Sequence, residues 1–216
     1  MAKKDVKAEV ENNPIVQITA PNIKRAQFKI VGITPYVQLR FSKKAEAMMR
    51  SKMEGKIPPG RKARDPRDFD DDFTQAMYMS TDGWRGIPAS SFRNAMISAC
   101  RLVNFKMTLA KLSIFIAHDG LDSLDPIPLV RIEGEPKMIV SNVRNATGVA
   151  DLRVRASFWP WSALLSIRYD GDQFRDSDIG NLLSRVGMQV GIGEGRPDGK
   201  SSAGMGWGTF ELEGRK

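Results

Sequence analysis

The chain of 216 residues is long enough for one domain with insertions and a sizeable buried core. Its 33 basic and 25 acidic residues give a net charge of +8, which favours a polyanionic partner. We expect nucleic acid rather than an anionic membrane, because no basic amphipathic helix has a strong apolar face. The single cysteine, Cys100, excludes an intrachain disulfide and a cysteine-based zinc site, and the single histidine, His118, gives a Ser-His-Asp triad almost no support.

No apolar run reaches the ~18 residues of a membrane-spanning helix, and no signal-peptide pattern is present. These features predict a cytoplasmic protein, and the composition gives no reason to expect a cofactor or a metal. Residues 1–24 are polar and interrupted by proline, which predicts a flexible arm. The alternative is an arm that docks on a neighbouring subunit.

The first regular elements are a strand and a helix. Residues 27–33 alternate and are rich in β-formers, which predicts a strand that ends at Pro35. Ser42 is predicted to cap a helix over 43–54, which Gly55 ends. The residues on one side of this helix are Ala45, Met48, Met49 and Met53.

Most of the excess positive charge lies between Arg40 and Arg67, where 10 basic residues occur with 3 acidic ones. The proline- and glycine-containing loop at 56–64 belongs to this stretch and is itself basic. A solvated charged face and a phosphate-binding surface both remain open. The candidate phosphate contacts here are Arg40, Lys43, Lys44, Arg61, Lys62 and Arg64.

The next predicted helix begins at Asp65, with Pro66 in its first position and acidic residues in its first turn. Its core-facing side comprises Phe69, Phe73, Ala76 and Met77. The run Asp70-Asp71-Asp72 allows a metal site, but we favour a role in balancing the helix dipole and the basic loop.

After a turn and short strand at 83–88, apolar residues at i, i+3, i+4, i+7 and i+8 predict an amphipathic helix over 90–101. The apolar positions are Phe92, Ala95, Met96, Ala99 and Cys100. Ser90 or Ser91 is the predicted N-cap. Such a helix start is ordinary capping or, in the right context, a phosphate site.

Five strand candidates follow, at 112–117, 127–133, 137–140, 149–158 and 163–169. Residues 126–158 together predict a basic β-projection, with Arg144 leading into a face that carries Asp151, Arg153 and Arg155. Trp159 and Trp161 either stack on bases or pack in the core.

The C-terminal part begins with a helix predicted over 177–186, capped by Asp176 or Ser177, closed by Gly187 and apolar at Ile179, Leu182, Leu183 and Val186. A glycine-rich segment at 187–208 follows, and the last predicted strand is 209–213. Successive N–H groups of such a segment can form an anion-binding concavity, to which Arg196 and Lys200 add charge. The alternative is a flexible surface loop.

Without insertions at about 40–85 and 120–158, the predicted order is β-α-β-β-α-β. This order predicts an α+β, ferredoxin-like (RRM-like) core within a single domain over 25–216. The same arrangement of strands serves RNA-binding domains.

Two motifs resemble those of RAMP proteins, which form the backbone of CRISPR effector complexes. Ile87-Pro-Ala-Ser-Ser-Phe-Arg-Asn-Ala95 is similar to their Ile-Pro-Gly-Ser-Ser helix start, with Ala89 in place of glycine. Gly193-Glu-Gly-Arg196 with Gly204-Met-Gly-Trp-Gly208 resembles their glycine-rich loop, with Glu194 adding a negative charge. Residues 28–42 are similar to phage-encoded proteins of this group, which implies a location in the host cytoplasm.

The resemblance implies a modified ferredoxin-like fold, single-strand binding and head-to-tail assembly, with 126–158 as the family's thumb. The residues implied to approach the nucleic-acid backbone are Ser90, Ser91, Arg93, Asn94, Gly193, Gly195, Arg196 and Gly204. Some members cleave RNA with an acidic residue in an early loop, and no acid here aligns with it.

The leading hypothesis is a non-catalytic protein that binds single-stranded RNA or DNA and forms a homo-oligomer or filament along it. Basic residues of 40–67 and 144–155 would meet phosphates, and the candidate base-stacking residues are Phe41, Trp159, Trp161 and Trp207. A nuclease is the second hypothesis, metal-independent or using Asp65, Asp68, Asp70, Asp71 or Asp72. The third is a phage structural or scaffold protein.

Overall fold

The computed structural model describes residues 18–56, 66–144, 148, 150–199 and 204–214. This part of the chain is a mixed α+β structure with three antiparallel sheets and five α-helices. The strands are β1 (Ile23–Gly32), β2 (Tyr36–Gln38), β3 (Tyr78–Met79), β4 (Arg85–Pro88), β5 (Ile114–Ile116), β6 (Gly120–Leu121), β7 (Pro128–Arg131), β8 (Pro136–Arg144), β9 (Ala150–Phe158), β10 (Ser162–Asp170) and β11 (Phe210–Leu212). The helices are α1 (Lys43–Met53), α2 (Phe69–Gln75), α3 (Ala89–Ala99), α4 (Met107–Ser113) and α5 (Asp176–Arg185).

A long antiparallel pairing joins β1 and β10, from Ile23 opposite Asp170 to Val31 opposite Ser162. These two strands are the centre of a four-stranded sheet in the order β11-β1-β10-β5. Burial alternates along β10, where Ala163, Leu165, Ile167 and Tyr169 are buried and the residues between them are not. One face of the sheet therefore borders the core and the other faces solvent.

Helices α3 and α5 supply the other side of this core and pack against each other. All apolar positions predicted for both helices are buried, as helical periodicity requires. The Phe92 ring of α3 lies 6.4 Å from the ring of Phe210 in β11, centroid to centroid. Trp161 lies 6.1 Å from the same ring and is 2% exposed, which assigns it to the core rather than to a base-stacking surface.

The other two sheets have the orders β2-β9-β8 and β3-β4-β7-β6. The basic projection predicted over 126–158 is therefore divided between them. Strands β8 and β9 form a long hairpin, with Pro136 opposite Phe158. Strand β7 pairs instead with β4, which runs directly into α3.

The strand predicted over 112–117 is wrong at its first two residues, because α4 occupies Met107–Ser113 and β5 begins at Ile114. Ala110 and Ser113 are the buried residues of α4, three positions apart, so helical spacing decides the local structure. Strand β1 also begins earlier than predicted, because Ile23 and Lys24 pair with β10 and do not belong to an arm. Residues 1–17 lie outside the described chain.

Several predicted helix ends also differ. The hydroxyl of Ser42 accepts from the backbone N–H of Ala45, which confirms that cap. Helix α2 starts later than predicted: Asp68 accepts from the N–H groups of Asp70 and Asp71, while Asp65 lies outside the described residues. Ala76 and Met77 are buried just beyond this helix, whereas Phe69 is 37% exposed.

Helix α3 has Pro88 as its N-cap residue and no side-chain cap, so neither Ser90 nor Ser91 has the predicted role. Helix α5 begins at Asp176, preceded by Arg175, whose N–H donates to Asp178 at 2.9 Å. The chain does not leave the helix at Gly187, because a π-helical turn covers Val186–Val190. Within the described ranges, no helix is long and apolar enough to cross a bilayer.

Candidate functional site

A cavity of about 610 Å³ lies between β2, helix α3 and the glycine-rich segment. Three connections lead into its walls: β2 follows β1 after a short turn, β4 leads directly into α3, and the glycine-rich segment follows α5. Its polar lining residues are Gln38, Tyr78, Ser91, Asn94, Ser98, Glu194, Arg196 and Asp198. Two parts of the sequence predicted to act together, the 90–101 helix and the glycine segment, thus border one space.

The glycine segment lies close against β2. Gly193 has φ of 78°, and a β-carbon there would lie 2.6 Å from both the ring of Tyr36 and the carbonyl oxygen of Val37. The next residue, Glu194, donates its N–H to that carbonyl at 2.9 Å. Only glycine combines this positive φ with so close an approach, so Gly193 is needed for the packing of the segment itself.

Many N–H groups of the segment are already used within the protein. Gly191, Ile192, Glu194 and Asp198 donate to carbonyls of Val186, Gly208, Val37 and Val190, and Met205 and Trp207 both donate to Gly195. The expectation that consecutive bare N–H groups form the anion cradle is therefore wrong for these positions. The groups that the cavity offers at these positions are therefore side chains rather than backbone N–H groups.

Asp198 connects the glycine segment to α3. Its carboxylate accepts from the hydroxyl of Ser98 at 2.5 Å and from the guanidinium of Arg101 at 2.8 and 2.9 Å. The Ser98 hydrogen bond, supported by Arg101, holds the pKa of Asp198 below its ordinary value, although partial burial acts in the opposite direction. The carboxylate is therefore ionised at neutral pH and neutralised by Arg101.

Glu194, the second carboxylate of the lining, is neutralised from the β8–β9 hairpin. Arg155 donates to it at 2.8 Å, and Arg153 lies 4.0 Å away. Arg196 makes no ion pair within 4 Å in the described chain, although its charge also helps to lower the pKa of Asp198, and it donates to the carbonyl of Gly193 at 3.1 Å. The charged residues of the lining are Arg196, Glu194 and Asp198, and Arg101, Arg153 and Arg155 pair with the two carboxylates from outside the lining. Together these four arginines and two carboxylates have a net charge of +2.

The floor of the cavity is a fixed polar cluster around Gln38, which is 3% exposed. Its amide donates to the hydroxyl of Tyr36 and to the carbonyl of Gly86, and its oxygen accepts from the N–H of Tyr78. Burial raises the pKa of the Tyr36 hydroxyl, which therefore remains protonated. These groups give the cavity rigid walls, and Ser91 and Asn94 of α3 add hydroxyl and amide groups.

Several basic residues predicted to contact phosphates are occupied elsewhere. Arg40 is 6% exposed and donates to Asp122 and Asp125 at 2.6 to 3.0 Å, so its prediction as a phosphate contact is wrong. Lys43 lies 2.6 Å from Asp125 as well. Arg93 donates to the carbonyls of Ile114 and Lys111, which ties α3 to the start of β5.

The remaining residues predicted to contact nucleic acid differ in their exposure and location. Lys44, Ser90 and Asn94 are exposed, as are Phe41 at 59% and Trp159 at 45%. Gly195 lies against the indole of Trp207, and a β-carbon at Gly204 would lie 2.2 Å from the carbonyl oxygen of Arg196. Arg144 is the last residue of β8. Arg61, Lys62, Arg64 and Lys200 lie outside the described residues.

The acidic run at the start of α2 has structural contacts. Asp68 is the helix cap, Asp71 accepts from Gln75, and Asp72 lies 2.5 Å from Arg67. In the ranges that the structure describes, no group of three or more His, Cys, Asp or Glu is placed to hold a metal. A metal-dependent nuclease site at this run gains no support from these contacts.

The sequence interpretation missed Gln38, Ser98, Arg101 and Asp198. A signal was present for one of them, because Ser91, Asn94 and Ser98 are spaced i, i+3 and i+7 and therefore form a polar stripe on one side of α3. For Gln38 and Asp198 nothing in the local sequence indicates their partners, which are distant in the chain.

No family model matches the chain, and no curated protein matches it. The structure itself shows an α+β fold with a polar cavity whose charged lining residues are Arg196, Glu194 and Asp198.

Proposed function

We propose that this is a non-catalytic protein that binds single-stranded RNA or DNA, with the strand passing over the cavity between α3 and the glycine segment. The observation that carries the proposal is the group of four arginines at and beside the two carboxylates of this cavity. Arg196 makes no ion pair within 4 Å in the described chain, and Arg153, with 43% of its side chain exposed, reaches its carboxylate only at 4.0 Å. Both guanidinium groups can therefore be offered to phosphates.

The fold supports a nucleic-acid role through its strand order. If β1, β5, β10 and β11 are the four frame strands, their sheet order is 4-1-3-2, with α3 before the second strand and α5 before the fourth. This is the order of the ferredoxin-like arrangement, which we propose for the core together with a distant relationship to RAMP proteins. RNA-binding domains use the same order of elements.

The cavity also offers neutral groups for sugars, bases or phosphate oxygens. Ser91, Asn94 and the half-buried Tyr78 line it, and none of their side-chain polar groups is needed to hold the described fold together. Trp159, exposed after β9, is the candidate for stacking on a base. The mixture of cationic and neutral polar groups suits a strand bound mainly through its backbone.

We further propose assembly of several copies along the strand, through α1. This helix has no buried residue, and Met48, Met49 and Met53 are 59%, 51% and 84% exposed. A helix of this length is marginal alone in water, so a contact with a second copy would stabilise it. Phe41, 59% exposed just before the helix, extends the apolar surface.

The decisive experiment is a binding titration with single- and double-stranded RNA and DNA of matched length at several salt concentrations. We expect single strands to bind more tightly and affinity to fall with salt, with a slope of about −0.7 per phosphate contact. The Arg153→Ala/Arg196→Ala variant should reduce this slope by about 1.4. Arg131→Ala, which removes an exposed arginine of β7 outside the cavity, is the matched control.

Two outcomes would overturn the proposal. Binding that does not change with salt, or with the double substitution, would remove the phosphate contacts at this cavity. An elution volume that is unchanged by any oligonucleotide would instead favour the scaffold hypothesis. Incubation of labelled single strands with and without magnesium tests the nuclease hypothesis, and intact strands under both conditions are the expected result.

A further inference from the structure

The second candidate surface is the solvent-facing side of the sheet β11-β1-β10-β5. Along β1 and β10 the residues that alternate with the buried ones point away from α3 and α5. They include Arg25, Gln27, Leu164 and Arg168, all exposed. This face is therefore an accessible platform made of strand residues, whose positions the ladder fixes.

Two arginines lie side by side on this platform. Arg25 is the register partner of Arg168 in the β1–β10 pair, and like charges directly opposite each other destabilise an antiparallel sheet. Neither guanidinium has an ion pair within the described chain. Asp170, two positions further along the same face of β10, accepts from the N–H of Asp172 at 2.9 Å and makes no ion pair within the described chain. With one carboxylate beside two arginines, this end of the sheet keeps a net positive charge.

The arginine pair borders a groove of about 700 Å³ that crosses β1, β10 and the end of β5. Its lining includes Ile116 and Ala117 together with Gln27, whose amide donates to the hydroxyl of Ser166 at 2.9 Å. His118, exposed just after β5, forms the far wall. The groove therefore combines two cations with a hydroxyl, an amide and an imidazole within one concave surface.

The opposite end of the same face has a different charge. Lys29 lies 3.1 Å from Glu213 there, and Glu211 is exposed on β11. The positive charge is consequently confined to the Arg25–Arg168 end and is not a general property of the sheet. A local positive charge of this kind attracts anions.

We propose that this groove is a second anion site, separate from the cavity at α3, and that it binds phosphate groups of a single-stranded nucleic acid. An acidic peptide is less suitable, because the backbone groups of central strands β1 and β10 are used in the ladder and cannot pair with an added strand. The ring of Phe115 on the neighbouring strand β5 is not assigned to base stacking, because the guanidinium of Arg93 already lies 5.1 Å from its centre. Binding here depends on charge and hydrogen bonds and is independent of base sequence.

The chain offers a site-specific probe for this groove, because His118 is its only histidine. The imidazole Hε1 resonance of the untagged protein would be followed by NMR during titration with oligo(dT) and oligo(U), with binding measured in parallel by fluorescence anisotropy. We expect the resonance to shift with the same saturation as the anisotropy. In Arg25→Ala/Arg168→Ala the shift should be lost and the affinity should fall about three- to tenfold, with a salt slope reduced by about 1.4.

The matched control is Lys29→Ala, which removes a positive charge from the same face that Glu213 already neutralises. This variant should retain both the shift and the affinity. The proposal is overturned if oligonucleotide binds while the His118 resonance stays unchanged, or if poly-glutamate shifts it and oligonucleotides do not. Failure of the two proposals can be distinguished, because Arg153→Ala/Arg196→Ala tests the α3 cavity and should leave the His118 shift in place.

Discussion

Arg155 donates to Glu194 at 2.8 Å, but the pair lacks a second hydrogen bond, because Arg155 Nε and Glu194 Oε2 are both buried without a hydrogen-bond partner. An unsatisfied buried polar group costs about 1–3 kcal/mol, and a guanidinium can bind a carboxylate through two parallel hydrogen bonds. Glu194 thus neutralises Arg155 while one of its two carboxylate oxygens, Oε2, accepts no hydrogen bond. In the proposed function, this carboxylate competes with phosphate for the hairpin arginines.

The Glu194→Gln variant should therefore bind single strands more tightly. Glutamine retains an oxygen that can accept from Arg155, and the lost negative charge removes a repulsion of about 1 kcal/mol at about 4 Å in water, which is about fivefold in Kd. Anisotropy titrations of the two proteins at equal salt would measure the change. Glu135→Gln, which removes an exposed carboxylate near Arg85, should have no effect, and equal affinities for Glu194→Gln and wild type would contradict the competition.

Asp198 predicts an acid-dependent loss of stability. Its pKa is lowered in the folded protein by Ser98 and then by Arg101, so its contribution is present above the unfolded Asp pKa of about 3.9 and is lost as pH falls through the folded pKa. Asp198→Asn should lower the free energy of unfolding at pH 7 by about 1 kcal/mol. The difference from wild type should shrink in the acid range.

Urea unfolding curves at neutral pH and below pH ~4 would measure this dependence. Asp82→Asn is the control, because the side chain of Asp82 has no ion pair in the described part of the chain. A constant difference between Asp198→Asn and wild type at every pH would show that the Ser98–Asp198–Arg101 contact does not depend on the charge of the carboxylate.

The predictions that proved correct were local ones. The cap at Ser42 and the apolar spacing of α3 and α5 depend on residues within two turns of each other, so the sequence contains the whole signal. The segment at 112–117 was ambiguous, because a short apolar run fits a strand or a buried helix end, and packing of Ala110 decided the outcome. Tertiary contacts overrode local preference there.

Electrostatic pairing could not be predicted in the same way. Arg40 was interpreted as part of a phosphate-binding stretch, but its partners lie 82 and 85 positions away in the sequence. Glu194 and Arg155 are 39 positions apart. A basic stretch in the sequence gives the number of charges, whereas the fold decides which of them remain available to a ligand. The juxtaposition of α3 with the glycine segment followed only from the motif resemblance.

Gly193→Ala tests how tightly the glycine segment must approach β2. The new β-carbon would meet the Tyr36 ring and the Val37 carbonyl at 2.6 Å and would also take a positive φ, so we expect a loss of about 2–4 kcal/mol in the free energy of unfolding. Gly206→Ala has the same sign of φ, at 73°, with nothing within 4 Å of its β-carbon. Its cost should be about 1 kcal/mol.

Chemical denaturation of the two glycine variants separates conformational strain from steric conflict. Equal losses would mean that the positive φ accounts for the whole effect and that the segment can move away from Tyr36. In that case the cavity wall is less rigid than its contacts indicate, and oligonucleotide affinity should also be unchanged in Gly193→Ala.

Replacing the exposed methionines of α1 should weaken assembly. Met49 and Met53 are four positions apart on the helix and therefore neighbours on one side. Met49→Gln/Met53→Gln removes most of their apolar surface, and we expect light scattering after size exclusion to show fewer copies per oligonucleotide, with single-copy affinity unchanged. Lys52→Gln, an exposed polar position of the same helix, is the control. A complex of unchanged mass would exclude this side of α1 from the interface.

The ion pairs of Arg40 predict a substitution that affects stability and leaves binding intact. The Arg40 side chain is 5% exposed and that of its partner Asp122 is fully buried, so Arg40→Met would leave an uncompensated buried carboxylate at a cost of about 3–5 kcal/mol. Arg40→Lys keeps the charge but loses the two-pronged geometry and should cost less. Lys43→Ala, which removes a partly exposed partner of Asp125, should cost less than either Arg40 variant, because exposed ion pairs contribute little. Urea unfolding would rank the three variants, and anisotropy below their melting range should give an unchanged salt slope. A reduced slope for Arg40→Met would restore Arg40 as a phosphate contact.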